Sequence, residues 1–176
     1  MTSYHNLQDQ TYKAVIAEKI SRIHGKPTWR LKERMKTELG RVAVEHKVSY
    51  DWSGGYGLLD LIIGPVRHAA DFPHLPAFVF PNQPPAHPVL PGAPSQAQVR
   101  VAKDENDILK RDWAVVRGFC LGASVLIREA LDSEYYEDLE HVVYGYNDVL
   151  PYDFIEHLEQ DHCPLDEQAT KEIRGH

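Results

Sequence analysis

Ser95-Gln-Ala-Gln-Val-Arg-Val-Ala-Lys-Asp-Glu-Asn-Asp-Ile-Leu-Lys-Arg-Asp-Trp-Ala-Val-Val-Arg-Gly-Phe-Cys-Leu-Gly-Ala-Ser-Val-Leu-Ile-Arg-Glu-Ala-Leu131 contains no proline. Within it Ala102, Leu109, Trp113, Val116, Cys120, Ala123, Ile127 and Ala130 recur at steps of 7, 4, 3, 4, 3, 4 and 3. This is the spacing of one apolar stripe on an α-helix. Val115, Phe119 and Leu126 widen the stripe in its second half, which predicts burial there on more than one side. Ser95 and Gln98 form a capping-box start, with Pro91 and Pro94 just outside it. At about 1.5 Å per residue the helix is roughly 55 Å long and spans a whole domain or an extended bundle. Gly118 and Gly122 each cost roughly 1 kcal/mol against alanine inside a helix. Close approach of a neighbouring helix, a kink, or plain tolerance would each account for them.

Ahead of this helix, the sequence falls into two blocks. Residues 1–24 read as an N-terminal arm, loose over 1–11, followed by a short amphipathic helix from Tyr12 to Ile23 that Gly25 stops. Residues 25–94 hold three features. A helix opened by Pro27 carries Leu31, Met35 and Leu39 on one face and Arg30, Lys32, Arg34, Lys36 and Arg41 on the other. A glycine-rich loop, Ser53-Gly-Gly-Tyr-Gly-Leu-Leu-Asp-Leu-Ile-Ile-Gly64, then feeds a short helix or buried strand. From Pro65 to Pro94 the prolines fix φ and remove donors, which predicts an extended strap pinned by Phe72, Phe78 and Phe80. After the long helix, residues 132–143 predict a short helix carrying Tyr135, Tyr136, Leu139 and Val142 or Val143. Gly145-Tyr-Asn-Asp148 reads as a turn, Pro151–Gln160 as a helix, and Pro164 opens a last polar helix. The expected fold is all-α: five to seven helices around one long central helix (95–176 with its C-terminal companions), and 25–176 forming one domain.

Charge is unevenly placed within a net of −7. Residues 1–50 hold ten Lys/Arg against five Asp/Glu, residues 51–94 one against three, and residues 95–176 eight against eighteen. A basic head on an acidic body favours head-to-tail contact between copies or weak attraction of nucleic acid to the head; two opposed solvated faces give the same split. The basic helix has only Trp29 as a stacking ring, too few for a single-strand platform. No apolar run reaches membrane-span length, and the N-terminus has neither a basic nor an apolar leader segment. Two cysteines, Cys120 and Cys163, give no disulfide framework, and a reducing cytoplasmic setting is expected.

Catalytic and cofactor chemistry finds little to stand on. The Gly54–Gly57 loop lacks the Gly-Lys-Ser/Thr ending of a phosphate loop. No Gly-x-Ser-x-Gly elbow is present, and Cys120 lies on the apolar stripe, where a small hydrophobe is expected. Among ten histidines, His157, His162 and Cys163 lie close in sequence with His141 not far off, but no Cys-x-x-Cys or His-Glu-x-x-His accompanies them. No catalytic residue, cofactor or metal is expected.

Three stretches in order carry a likeness: Ile23-His-Gly-Lys-Pro-Thr-Trp29 with its basic helix, the Ser53–Gly64 loop, and the long helix with its sequel. That sequel comprises Leu131-Asp-Ser-Glu-Tyr-Tyr-Glu-Asp-Leu-Glu140 and Tyr144-Gly-Tyr-Asn-Asp-Val-Leu-Pro-Tyr-Asp-Phe-Ile-Glu-His-Leu158. Together, over about residues 20–176, they resemble the N-terminal half of the Gag-like polyprotein of copia-type LTR retrotransposons. The resemblance implies structural roles for Gly25, Pro27, Gly54, Gly55, Gly57, Leu139, Pro151 and Leu158. It also implies a capsid-like protein that self-associates into a particle around element RNA, without catalysis. The chain departs from the family at Tyr56 (often histidine), at Leu150 (threonine before the helix proline) and at His162-Cys163 (tyrosine-glycine). The family's second helical capsid part and zinc knuckle do not follow within these 176 residues. The other expectation is a monomeric helical interaction module, a repurposed or degenerate Gag remnant that binds a protein partner through the strap.

Overall fold

The computed structural model describes residues 4–49, 54–81 and 84–163. The long helix, α4, runs Gln96–Ala130 and measures about 52 Å. Its start is the expected capping box: Ser95 Oγ accepts from Gln98 N at 3.1 Å, and Ser95 N donates to Gln98 Oε1 at 2.8 Å. The other elements, in chain order, are α1 (Tyr4–Glu18), α2 (Trp29–Val44), α3 (Asp60–Asp71) and α5 (Pro151–His157), and α1 lies along α4. The fold is an all-α bundle around one long helix. Among the described residues there is no strand, only an isolated bridge between His141 and Gly145.

The two glycines of α4 are where α1 comes closest. A Cβ on Gly118 would stand 2.4 Å from the Gln8 carbonyl oxygen and 2.9 Å from Thr11 Cβ, and one on Gly122 2.8 Å from Val15 Cβ. Of the three expectations for these residues, close helix approach is the one found. α1 itself differs from expectation. It starts eight residues early and stops at Glu18, where Lys19 takes φ 48°. Ile20–Ile23 is non-helical because it caps α4 instead. Ile23 N donates to Ala130 O at 2.7 Å, and the Arg22 guanidinium donates to Glu129 O and to Asp132 Oδ1, both at 2.6 Å. Carbonyls at a helix C-terminus have no partners within the helix, so this segment satisfies them.

α2 begins at Thr28, whose Oγ1 accepts from Leu31 N at 3.2 Å, and buries Met35, Leu39, Val42 and Ala43. Its last carbonyls explain the glycine-rich loop. Leu58 N donates to Ala43 O at 3.1 Å, and a Cβ on Gly57 (φ 60°) would meet His46 O at 2.7 Å and Ala43 O at 2.9 Å. The loop is a backbone-to-backbone cap on α2 that only glycine fits. It feeds a helix, α3, which bends at Gly64 (φ 81°, ψ 171°) just before Pro65.

The core joins Ile23, Met35, Leu39, Leu58, Leu61, Val116, Phe119, Ala123, Ile127, Phe154 and Leu158. The strap expected over residues 65–94 begins later: residues 65–71 are the second half of α3, because Pro65 follows the bend at Gly64 and so opens a helical turn, where a missing N–H costs nothing. From Phe72 to Pro94 the described chain is non-helical, with Phe78 buried and Phe80 packed against the core. The region 132–143 holds no continuous helix. Two single 3₁₀ turns, Ser133–Tyr135 and Glu137–Leu139, replace it, and Val142 and Val143 lie exposed in a turn closed by the His141–Gly145 bridge. α5 starts at Pro151 as expected, with Asp153 Oδ2 accepting from Leu150 N at 2.9 Å, but gives way to a π turn over Leu158–His162. The helix expected from Pro164, and Ser53 at the start of the glycine-rich loop, lie outside the described residues.

Candidate functional site

The basic face of α2 is largely consumed inside the chain. Lys32, expected outside, is fully buried, with its ammonium 3.2 Å from the Trp29 ring centroid, 2.9 Å from Glu159 Oε1 and against Glu33. A buried ammonium must be paired, and the Trp29 ring face adds to what the two carboxylates supply. Lys36 is half-buried and reaches the same Glu159 oxygen at 3.5 Å. Arg34 and Arg41 remain exposed, Arg34 donating to Arg22 O at 3.3 Å, and Arg30 is exposed beside them. The partner carboxylate comes from the acidic C-terminal block, and Arg22 pairs with Asp132 of that block. The charge split is thus partly neutralised within one molecule. The five cations do not make one continuous cationic surface, and the reason is Lys32's position on the core side of α2.

The positions that the resemblance marks lie in turns, at helix starts or against the core. Gly25 (φ 71°) turns the chain in open space and Pro27 is buried before α2. Gly54 (φ 68°) and Gly55 (φ 116°) shape the loop whose Gly57 caps α2. Leu139 packs against the core, Pro151 starts α5, and Leu158 is fully buried.

A second polar constellation carries no sequence signal. Asp60 and His68 face one another across α3, both buried, with His68 Nδ1 2.5 Å from Asp60 Oδ1 and Nε2 2.8 Å from Pro76 O. Burial alone would lower the His68 pKa. The Pro76 carbonyl and the Asp60 carboxylate outweigh it and raise the pKa above the ordinary histidine value. With an acceptor at each ring nitrogen, His68 donates twice and ties the strap to α3. No lone pair is left for a general base. In a straight helix residues eight apart lie about 12 Å apart along the axis, so only the bend at Gly64 brings this pair into contact, and periodicity could not reveal it.

Cys120 is equally unsuited to nucleophilic work. It is buried in the core, and burial pushes its thiol up to about 12. Between α2, α3 and α5 lies a groove of about 910 Å³, lined among others by Trp29, Thr37, Arg41, Ile63, Val66 and Glu156. Near the end of α5, His157, His162 and Asp138 bring two imidazoles and a carboxylate together. His141 takes no part there, since its Nδ1 accepts from Val143 N and Tyr144 N at 3.0 and 3.1 Å.

Apolar side chains stand outside in two places. The His141–Gly145 turn presents Val142, fully exposed, with Val143 and Tyr144. The first half of α4 presents Val99, Val101, Ile108 and Leu109. No helix among the described residues is long and apolar enough to cross a membrane. Comparison with known proteins gives no match: no family model, no curated protein and no solved structure aligns with this chain.

Proposed function

We propose that this chain is a structural, non-catalytic protein of the Gag type, working in the cytoplasm by association with copies of itself into a particle around element RNA. The observation that carries the reading is apolar surface turned outward at two separate places, the Val142–Tyr144 turn and the first half of α4. Two different patches on one chain suit a heterologous, head-to-tail contact, the kind that propagates into rings or shells. The motif order described above supports the same reading. RNA contact on this view is weak and salt-sensitive, resting on Arg30, Arg34 and Arg41 rather than on the whole α2 face. Sedimentation velocity over a range of concentrations and salts tests it. Concentration-dependent oligomers that Val142→Asp with Val143→Asp abolish are expected; a strict monomer under all conditions refutes assembly by this chain.

The second reading, a monomeric module that binds a protein partner through the strap, is favoured by one observation. The strap's later part, residues 84–94, is almost wholly exposed, with Val89 98% accessible. Replacing Val89 and Leu90 by serine separates the two readings: it abolishes partner capture on this reading and leaves self-association intact on the first.

A further inference from the structure

The π turn that follows α5 brings together two side chains that an α-helix would keep apart. His157 and His162 are five residues apart, and at 3.6 residues per turn an α-helix would set them about 140° apart around its axis. Here Cys163 N donates to Leu158 O at 2.7 Å, an i to i+5 bond that widens the last turn. The two imidazoles meet as a result, with Nε2 atoms 3.2 Å apart and ring centroids 4.9 Å apart. Each ring is held in place. His157 Nδ1 donates to Asp161 Oδ2 at 3.0 Å, which leaves its Nε2 as the nitrogen with a lone pair. Tyr135 stands edge-on to His162 at 5.2 Å and 89°. From the 3₁₀ turn Glu137–Leu139, Asp138 brings a carboxylate so that all three ligand atoms lie within 4.8 Å of one another.

Two ring nitrogens at this separation either share one proton or hold a cation between them. A tetrahedral ion about 2.0–2.1 Å from each nitrogen has a ligand-to-ligand edge of roughly 3.3–3.4 Å, which the nitrogen pair already matches. Asp138 is exposed on a single turn, and since its oxygen lies within 4.8 Å of the ring nitrogens, a swing of at most about 1.5 Å brings it to the same edge length. The Asp161–His157 contact is the carboxylate–histidine arrangement that orients a metal-bound imidazole. Cys163, next in sequence, is not a ligand, because its S–H donates to Leu158 O at 3.2 Å.

We propose that His157 Nε2, His162 Nε2 and Asp138 bind one zinc-type divalent ion, with the fourth position open to solvent. Two imidazoles favour a late first-row metal over magnesium or calcium. The ion would fasten the end of the α5 run to the 3₁₀ turns beside the exposed Val142–Tyr144 loop. The site is independent of the Gag-like reading.

Titration of the full chain with cobalt(II), followed in the visible and then by zinc displacement, tests the site. One tetrahedral cobalt per chain, displaced by zinc, is expected. His157→Ala and His162→Ala should each abolish the spectrum while keeping the helical circular dichroism, and Asp161→Asn should weaken affinity roughly 10- to 100-fold. Absence of a tetrahedral spectrum overturns the proposal, as does stoichiometric binding that survives in the double His157→Ala/His162→Ala variant. Histidine-selective NMR of the unaltered chain decides the question even if a variant fails to fold. Zinc must perturb two Nε2 resonances stoichiometrically, and a spectrum that zinc leaves unchanged rules the site out.

Discussion

Residues 96–109 and residues 113–130 of one continuous helix carry the same apolar stripe in different surroundings. In the later segment Ala114, Val116, Phe119, Cys120, Ala123, Leu126 and Ile127 are all buried against α1, α5 and the Ile20–Ile23 cap. In the earlier one Val99, Val101, Ile108 and Leu109 are exposed, and the main burial is at Asn106. In the amide orientation that satisfies both its ends, the Asn106 side chain donates to the strap carbonyl of Ala86 at 3.1 Å. Asp112 marks the border, buried and accepting from Ser49 N at 3.0 Å. The strap divides the same way. Its first part is pinned by Phe78 and by Pro76 on His68, whereas residues 84–94 lie along the outside. Periodicity thus reports an apolar face and is silent on what covers it.

The largest effect should come from truncation inside the packed half. Phe119→Ala removes a fully buried ring and should cost about 3–5 kcal/mol, read as a shift in urea midpoint. Leu109→Ala, the same kind of change in the free half, should stay within about 0.5 kcal/mol. If the two variants lose comparable stability, the free half is covered in solution and the contrast fails.

Breaking the pin between strap and bundle comes next. His68→Ala removes the imidazole from the buried Asp60 carboxylate, and loss of one member of a buried ion pair costs about 3–5 kcal/mol before any relaxation. Repacking of the strap should bring the measured loss below that of Phe119→Ala. The pair also has a pH signature. Because the folded pKa of His68 is raised, its contribution is fully present below the unfolded value of about 6.5 and disappears as pH rises through the folded pKa. His46 opposes it: burial lowers its pKa, so its contribution is lost as pH falls. The readout is therefore the difference between wild type and His68→Gln across pH 5–9, which should shrink towards alkaline pH. A difference independent of pH would mean that His68 is neutral in the fold.

Much of the architecture is legible in the residues because it rests on local chemistry. The capping box at Ser95 and the stripe on α4 each act over a few residues, and α4 stands where those signals put it; the strap's prolines hold only from residue 72 on, because Pro65 opens a helical turn after the bend at Gly64. What cannot be read depends on partners distant in sequence. Ile20–Ile23 has helical spacing but gains more from closing the α4 carbonyls, 107 residues away in the Arg22–Glu129 contact. Lys32 looks like a surface cation until Glu159 and Trp29 enclose it. Trp29-x-x-Lys32 is an i, i+3 pair, and that is the one available hint. His157 and His162 share a face only because the helix widens into a π turn.

Glycine placement gives the last two tests, smaller than the others and opposite in sign. At Gly118 an alanine methyl would meet the Gln8 carbonyl oxygen at 2.4 Å, so α1 must shift. Overpacking costs about 1–3 kcal/mol, and the gain in helix propensity returns at most about 1. Gly118→Ala should therefore lower stability by about 1–2 kcal/mol. Gly40 is also a helix-interior glycine and also buried, but a Cβ there meets only Leu59 Cδ1 at 3.3 Å, the end of a flexible side chain. That atom can give way by a few tenths of an ångström, which leaves the propensity gain nearly whole. Gly40→Ala should raise the urea midpoint by an amount equivalent to about 0.5–1 kcal/mol. The two variants share one chemical change and differ only in whether a backbone or a side-chain terminus stands opposite. Stabilisation by both would show that α1 does not press on α4 at Gly118, and the packed half would lose its tightest contact.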